Sequence, residues 1–212
     1  MDGLTRARKK YYASVANAYG NKPEANDWDR NAQMMRWDEQ LLMVTHGEYE
    51  KLNNMSILDF GCGTGDFYQF LKEKGIQAQY TGMDVVPESI AIAKEKSPEA
   101  SFEVCDIMAD EIDKIWDYAF MSGIFNFRSN FSSEQILHTM QEVLRKVYSH
   151  VRVGICFNFI SDYVNFTESQ MAYYNPMKVM KYCIENLSRR VEMAHHYNKC
   201  DVCVWVSKNT LI

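Results

Sequence analysis

Residues 57–65 read Ile-Leu-Asp-Phe-Gly-Cys-Gly-Thr-Gly. The apolar run at 56–60 predicts a short buried strand. The three glycines that follow allow the backbone to turn tightly and to come close to a ligand. Residues 66–74 then have the pattern of a helix that ends at Gly75. The stretch therefore predicts a strand, a glycine loop and a helix, which together form the first unit of a ligand-binding α/β sheet.

Strands and helices continue to alternate along the rest of the chain. The predicted strands cover residues 56–60, 79–84, 101–105, 116–122, 151–160, 190–196 and 201–207. The predicted helices between them cover residues 66–74, 87–96, 132–148 and 176–186. Such alternation indicates a mostly parallel sheet with helices on both faces. The last two strands form a hairpin, which adds one antiparallel strand.

Two helices are predicted before this sheet, at 4–19 and 27–45, with a break at Pro23 and Asn26. In the second helix an apolar stripe recurs at spacings of three and four: Met34, Trp37, Leu41 and Val44. No repeat or Pro/Gly-rich linker divides the chain. We expect one domain over 1–212, with a helical cap at 1–50 and an α/β core at 51–212.

The composition excludes several classes of protein. The chain has 212 residues, of which 47% are hydrophobic. Its net charge is −5, so a broad basic surface for nucleic acid is not expected. Four basic residues near the start are interpreted as a solvated helix face: Arg6, Arg8, Lys9 and Lys10. No apolar run is long enough to span a membrane, and residues 1–20 do not resemble a signal peptide. We expect a cytoplasmic protein whose six cysteines are reduced core thiols.

The glycine spacing selects the kind of ligand. A dinucleotide fingerprint has the pattern Gly-x-Gly-x-x-Gly, because a pyrophosphate sits on the helix N-terminus. Here the third glycine comes one residue early, at Gly65, and Asp66 would place a negative charge beside a pyrophosphate. The Gly-Lys-Ser/Thr of a P-loop is absent. A ligand with a ribose and an amino acid moiety, but without phosphate, fits better.

Three aspartates follow successive predicted strands. Asp59 precedes the glycines and can meet an ammonium group. Asp84 ends the second strand, where a carboxylate can accept both ribose hydroxyls. Asp106 follows the third strand and can accept from an adenine amino group, with Ile107 and Val85 covering the two faces of the ring.

Together these features resemble the class I S-adenosylmethionine-dependent methyltransferases. The matching stretches are 57–65, 80–86, 102–107 and 117–125. The resemblance implies a Rossmann-like three-layer sandwich with a seven-stranded sheet whose last strand is antiparallel. It also implies S-adenosylmethionine as cofactor and S-adenosylhomocysteine as product. The implied cofactor site combines Asp59, Gly61, Gly63, Gly65, Asp84, Val85, Asp106, Ile107 and Ser122.

Arg36 is a candidate partner for the methionine carboxylate of the cofactor. Arg36 and Gln33 are three residues apart and share a helix face. A guanidinium binds both oxygens of a carboxylate. The alternative is a solvated arginine beside the buried stripe.

The acceptor site is expected beyond the fourth and fifth strands, near the topological switch. The candidate substrate-binding residues there are Asn126, Asn158, Tyr163 and Tyr174. The aromatic loop at 161–175 has an alternative interpretation, in which its rings pack on the sheet edge. His195, after the sixth strand, is the candidate general base, and a solvated histidine is its alternative.

Two observations argue against DNA amino-methylation and against zinc binding. The Asn/Asp-Pro-Pro-Tyr/Phe motif of DNA amino-methyltransferases is absent. His195, His196, Cys200 and Cys203 are residue types that bind zinc, but Cys203 lies within an alternating strand where a small apolar side chain is expected. We predict no metal.

The resulting prediction is a methyltransferase for a small-molecule or sugar acceptor, most simply at a hydroxyl. The alternatives are a protein or RNA methyltransferase that uses the basic first helix, and a non-catalytic cofactor-binding subunit. The sequence leaves the identity of the acceptor and the oligomeric state open.

Overall fold

The computed structural model describes residues 3–20, 30–198 and 200–208. The predicted break at Pro23 and Asn26 lies outside these residues. The helices are α1 (Gly3–Tyr19), α2 (Arg30–Thr45), α3 (Asp66–Glu73), α4 (Pro87–Lys96), α5 (Ser133–Ser149) and α6 (Pro176–Asn186). The strands are β1 (Ser56–Phe60), β2 (Gln79–Asp84), β3 (Ser101–Val104), β4 (Trp116–Met121), β5 (Val151–Ser161), β6 (Tyr173–Tyr174), β7 (Val191–Ala194) and β8 (Asp201–Ser207).

The strands form one sheet in the order β3-β2-β1-β4-β5-β8-β7. Strands β1 to β5 are parallel to one another. Strand β8 is antiparallel to both β5 and β7. The predicted Rossmann-like sheet with an antiparallel last strand is confirmed, although the sheet has eight strands rather than seven. The sequence missed β6, a two-residue strand that pairs with the end of β5, because so short a segment carries no periodicity.

Local sequence explains where several helices begin. Ser132 accepts from the backbone N–H of Gln135, and the Gln135 side chain accepts from the backbone of Ser132, so α5 starts with a capping box. Helix α4 has proline in its first turn, where no intrahelical N–H is needed. Helix α3 follows Gly65, whose backbone is left-handed, so the glycine loop runs directly into it.

The core has two halves, one on each face of the sheet. One half packs α5 and α6 against the sheet around Trp116 and Phe157. The other packs α2, α3 and α4 around Phe67 and Phe120. The predicted stripe on α2 faces this second half: Trp37 and Leu41 are buried, while Met34 and Val44 are half-buried. This arrangement gives the predicted three layers.

Five of the six cysteines are buried in this core, and no disulfide joins them. Within residues 3–20, 30–198 and 200–208, none of the helices combines the length and the apolar composition that a membrane crossing needs.

Candidate active site

A pocket opens at the carboxyl ends of β1, β2 and β4. Strands β2 and β4 flank β1, so the pocket lies where the strand order reverses, which is the usual ligand site of such sheets. Residues after all three strands line it: Asp59–Gly63, Asp84–Val86 and Ser122–Ile124. The loop after β3 adds Asp106, Ile107 and Met108.

The glycine loop forms the floor of this pocket. Gly61 has a φ of +80°, and a Cβ built there would lie 2.1 Å from the Cγ2 of Ile124. Gly63 also has a positive φ and lines the pocket. Gly65 is different: it is outside the pocket lining, and a Cβ there would lie 2.8 Å from the ring of Phe102. Gly65 therefore allows the loop to pack on β3, and its contact with the cofactor stays a prediction.

Asp84 holds the glycine loop from the end of β2. Its Oδ2 accepts from the Gly63 N–H at 2.9 Å, and its Oδ1 accepts from the Val86 N–H at 2.9 Å. Burial raises the pKa of Asp84, although these backbone N–H groups act in the opposite direction. Val85 also donates a backbone hydrogen bond to this carboxylate. A carboxylate has about four acceptor sites, so Asp84 can still accept from a ligand hydroxyl.

Asp59 lies at the end of β1 and is 3% exposed. Its Oδ2 accepts from the Tyr80 hydroxyl at 2.6 Å. Burial raises its pKa to about 7 even though the Tyr80 hydrogen bond lowers it, and the charges of Asp84 and Asp66 raise it further. A cation beside Asp59 would restore the ionised form, so this carboxyl suits a ligand ammonium group.

Asp106 offers an unused acceptor. Its Oδ1 accepts from the Met108 N–H at 3.1 Å, while its buried Oδ2 has no hydrogen-bond partner among the described residues. Ile107, beside it, is 1% exposed and also lines the pocket. A buried oxygen without a partner is unfavourable, so a donor from a ligand is expected there.

The structure places two predicted site residues in a different network. Arg36 is buried and pairs with Asp201, with Nη1 and Oδ2 3.1 Å apart. Asn158 donates to the other oxygen of Asp201 at 3.2 Å and accepts from the Gly123 N–H at 2.8 Å. Neither Arg36 nor Asn158 lines the pocket. Asn158 thus holds the loop after β4, and Arg36 is joined to Asn158 through Asp201. Their contacts with cofactor and substrate stay predictions.

Three other predicted residues also lie outside the lining. His195 is exposed and follows β7, an edge strand of the sheet, and its role as general base stays a prediction. Tyr163 is 65% exposed. Tyr174 is buried and donates to the Phe125 carbonyl at 2.8 Å, as expected if the aromatic loop packs on the sheet.

Asn126 is buried as well, and its contact with a substrate stays a prediction. Among the described residues, no group of three or more His, Cys, Asp or Glu side chains is arranged to hold a metal ion.

Five residues of the two N-terminal helices line the pocket, and of these the sequence indicated only Gln33, on the face it shares with Arg36. Helix α1 contributes Thr5, Arg8 and Tyr12, and α2 contributes Gln33 and Trp37. The three on α1 are spaced by three and four, the spacing of one helix face. The charge cluster at the start of the chain concealed this face, because Arg8 was counted with its solvated neighbours.

Comparisons with known proteins decide the family. A family model for a methyltransferase domain matches residues 57–147. A Mycobacterium tuberculosis protein named as a methyltransferase is 31% identical over 159 residues, which are 72% of this chain and 93% of that protein. The chain belongs to the class I S-adenosylmethionine-dependent methyltransferases.

Two further proteins resemble this chain, one in part of its sequence and one in its fold. A malonyl-[acyl-carrier protein] O-methyltransferase of Ilyobacter polytropus is 30% identical over 107 residues, which are 49% of this chain and 39% of that enzyme. The magnesium protoporphyrin IX methyltransferase of Synechocystis, solved with bound S-adenosylhomocysteine, superposes with a TM-score of 0.72 at 15% identity. That superposition covers 96% of this chain and 99% of the other, so the methyltransferase fold extends over nearly the whole domain.

Proposed function

We propose that the protein transfers the methyl group of S-adenosylmethionine to a small-molecule acceptor, with the cofactor in the pocket described above. One observation carries the proposal: Asp59, Asp84 and Asp106 follow three adjacent strands and line one pocket. In this assignment Asp59 meets the methionine ammonium, Asp84 the ribose hydroxyls and Asp106 the adenine amino group. The bound cofactor supplies a methyl group that is already activated by the positive charge on sulfur.

The buried acceptor Oδ2 of Asp106 and the close approach at Gly61 both fit such a ligand. The first needs a donor, and the second lets the pocket residue Ile124 pack directly on the glycine loop. Ser122, Val85 and Ile107 complete the apolar and polar contacts expected along the pocket.

The protein's own part in the reaction is positioning and exclusion of water. Thr5, Arg8 and Tyr12 bring α1 over the same pocket, so the acceptor has to fit beneath a helix. This favours a small acceptor over a folded polymer. The proposal does not include His195 as a base, and the hydroxyl acceptor stays a prediction.

The proposal is tested by calorimetry with four ligands. S-adenosylmethionine and S-adenosylhomocysteine are expected to bind, whereas NAD and ATP are not, because both would bring phosphates towards Asp66. Tight binding of NAD would overturn the assignment of the pocket.

A second measurement separates an enzyme from a cofactor-binding subunit. Release of S-adenosylhomocysteine is followed in the presence of a pool of small metabolites. Turnover supports the proposal, and binding without turnover on any fraction of the pool contradicts it.

A further inference from the structure

Two walls of the pocket are joined to one buried carboxylate that lies outside the pocket lining. One wall is α2, which contributes Gln33 and Trp37 to the lining. The other wall is the loop after β4, of which Ser122–Ile124 line the pocket. The carboxylate is that of Asp201, which begins β8 and is 6% exposed. Asp201 is connected to both walls through hydrogen bonds.

The connection to α2 runs through Arg36. Its Nη1 donates to the Oδ2 of Asp201 at 3.1 Å. Arg36 directly precedes Trp37, so the ion pair holds the part of α2 that faces the pocket. Gln40, one turn further along α2, donates from its Nε2 to the Met121 carbonyl at 3.0 Å. Helix α2 is therefore held both to β8 and to the end of β4.

The connection to the loop after β4 runs through Asn158, which is fully buried. Its Nδ2 donates to the Oδ1 of Asp201 at 3.2 Å, and its Oδ1 accepts from the Gly123 N–H at 2.8 Å. A carboxylate only accepts hydrogen bonds, so Asp201 requires the Asn158 amide to turn its oxygen towards Gly123. Gly123 has a φ of +76° and leads into Ile124, which packs on Gly61 of the glycine loop. The orientation of one amide thus affects the shape of the pocket.

We propose that Asp201 is a positioning residue for cofactor binding, which holds α2 through Arg36 and the loop after β4 through Asn158. This inference rests on the proposed function, in which the cofactor lies between these two walls. Asp201 also accepts from Asn198, so three donors converge on its two oxygens. An amide at this position would direct its own NH2 group at one of these donors. Loss of the carboxylate is therefore expected to displace at least one wall of the pocket.

The test measures the Kd of S-adenosylhomocysteine by calorimetry and the stability of each variant by urea unfolding. Asp201→Asn replaces the carboxylate by an amide, and Asn158→Ala removes the acceptor of the Gly123 N–H. Each variant is expected to weaken binding about tenfold, the effect of losing one buried hydrogen bond.

An exchange of the two groups provides the rescue. In the double variant Asp201→Asn with Asn158→Asp, the carboxylate at position 158 accepts from the amide at position 201 and from the Gly123 N–H. The oxygen at position 201 can still accept from Arg36, and the net charge of the cluster is unchanged. The double variant is expected to recover most of the affinity that Asp201→Asn loses.

Val206→Ala is the matched control, because Val206 is buried on the same strand and does not line the pocket. It is expected to lower stability through the cavity it leaves and to keep the Kd unchanged. The inference is overturned if folded Asp201→Asn or Asn158→Ala binds with unchanged affinity, or if Val206→Ala weakens binding equally. It is also overturned if the double variant regains stability without affinity, because the cluster then has only a structural role.

Asn158→Ala and the double variant carry the test if Asp201→Asn does not fold. Failure of the unmodified protein to bind S-adenosylhomocysteine would contradict the proposed function instead.

Discussion

Arg36 of α2 and Asp201 of β8 form a buried ion pair, with Nη1 and Oδ2 3.1 Å apart and side chains 3% and 7% exposed. The pair joins a helix of the N-terminal cap to a strand near the end of the chain. Asp201 also accepts from Asn158 and Asn198, so three donors share one carboxylate. Through Asn158 this cluster reaches the Gly123 N–H at the pocket.

Breaking this pair should destabilise the fold. Asp201→Asn leaves the guanidinium of Arg36 buried without its counter-charge, which typically lowers the free energy of unfolding by about 3–5 kcal/mol. Urea unfolding measures the change. Lys72→Gln breaks the exposed Lys72–Glu99 pair and serves as the control, with a much smaller expected change, because solvent screens exposed charges. Equal effects of the two variants would show that burial does not strengthen the Arg36 pair.

Asp84→Ala should weaken cofactor binding. The variant removes the carboxylate that we assign to the ribose and that also holds the Gly63 N–H. Loss of two charge-assisted hydrogen bonds corresponds to an affinity decrease on the order of 100-fold or more. Calorimetry with S-adenosylhomocysteine measures it, and Asp113→Asn, an exposed residue outside the pocket, is the control. Unchanged affinity in a folded Asp84→Ala variant would refute the ribose assignment.

Cofactor affinity should fall as the pH falls through the pKa of Asp59. In the free protein this pKa is raised to about 7, and only the ionised carboxylate attracts an ammonium. Below that pH, binding has to displace a proton, so the Kd should rise roughly tenfold between about pH 7.5 and about pH 6.

Tyr80→Phe gives this pH prediction an internal check. The variant removes the hydrogen bond that lowers the pKa of Asp59, so the decline in affinity should begin at a higher pH. A Kd that stays constant from about pH 6 to about pH 7.5 would argue against contact between Asp59 and the ammonium.

Gly61→Ala should destabilise the protein and close part of the pocket. The new Cβ would lie 2.1 Å from the Cγ2 of Ile124, and the φ of +80° is unfavourable for alanine. We expect a loss of at least about 1–3 kcal/mol in thermal or urea unfolding. Ile124→Ala in the same chain should restore part of it by removing the clash. If the double variant were no more stable than Gly61→Ala alone, the clash would not be the cause.

The cofactor side of the pocket was predictable from the sequence because its residues follow strand ends at short, local spacings. Asp59, Asp84 and Asp106 lie at or just beyond the carboxyl ends of three strands, and a parallel sheet brings these ends to one edge. The other predictions depended on side-chain partners distant in the chain. Arg36 is paired with Asp201, which lies 165 residues away in the chain. The sequence around Arg36 gives no indication of this ion pair.

The position of α1 also could not be predicted from local pattern. Polar and aromatic residues are mixed along α1 without a clear apolar stripe. The sequence therefore does not show which face meets the pocket and which meets the Phe127 ring. Tyr11 stacks on that ring at a centroid distance of 4.9 Å, while Tyr12 on the next face lines the pocket. His195 lies outside the pocket lining for a related reason: it is on the expected rim of the sheet, but after an edge strand, remote from β1.

The position of α1 over the pocket has a kinetic consequence. Because Thr5, Arg8 and Tyr12 form part of its wall, we expect exchange of a large ligand to require a shift of α1. Movements of covering segments occur in microseconds to milliseconds and often limit turnover through product release. Variants that loosen the contact of Leu4 with the core are therefore expected to speed release of S-adenosylhomocysteine while slowing the chemical step, since the same displacement admits water. The rate of the enzyme is then set by how firmly its first helix is attached.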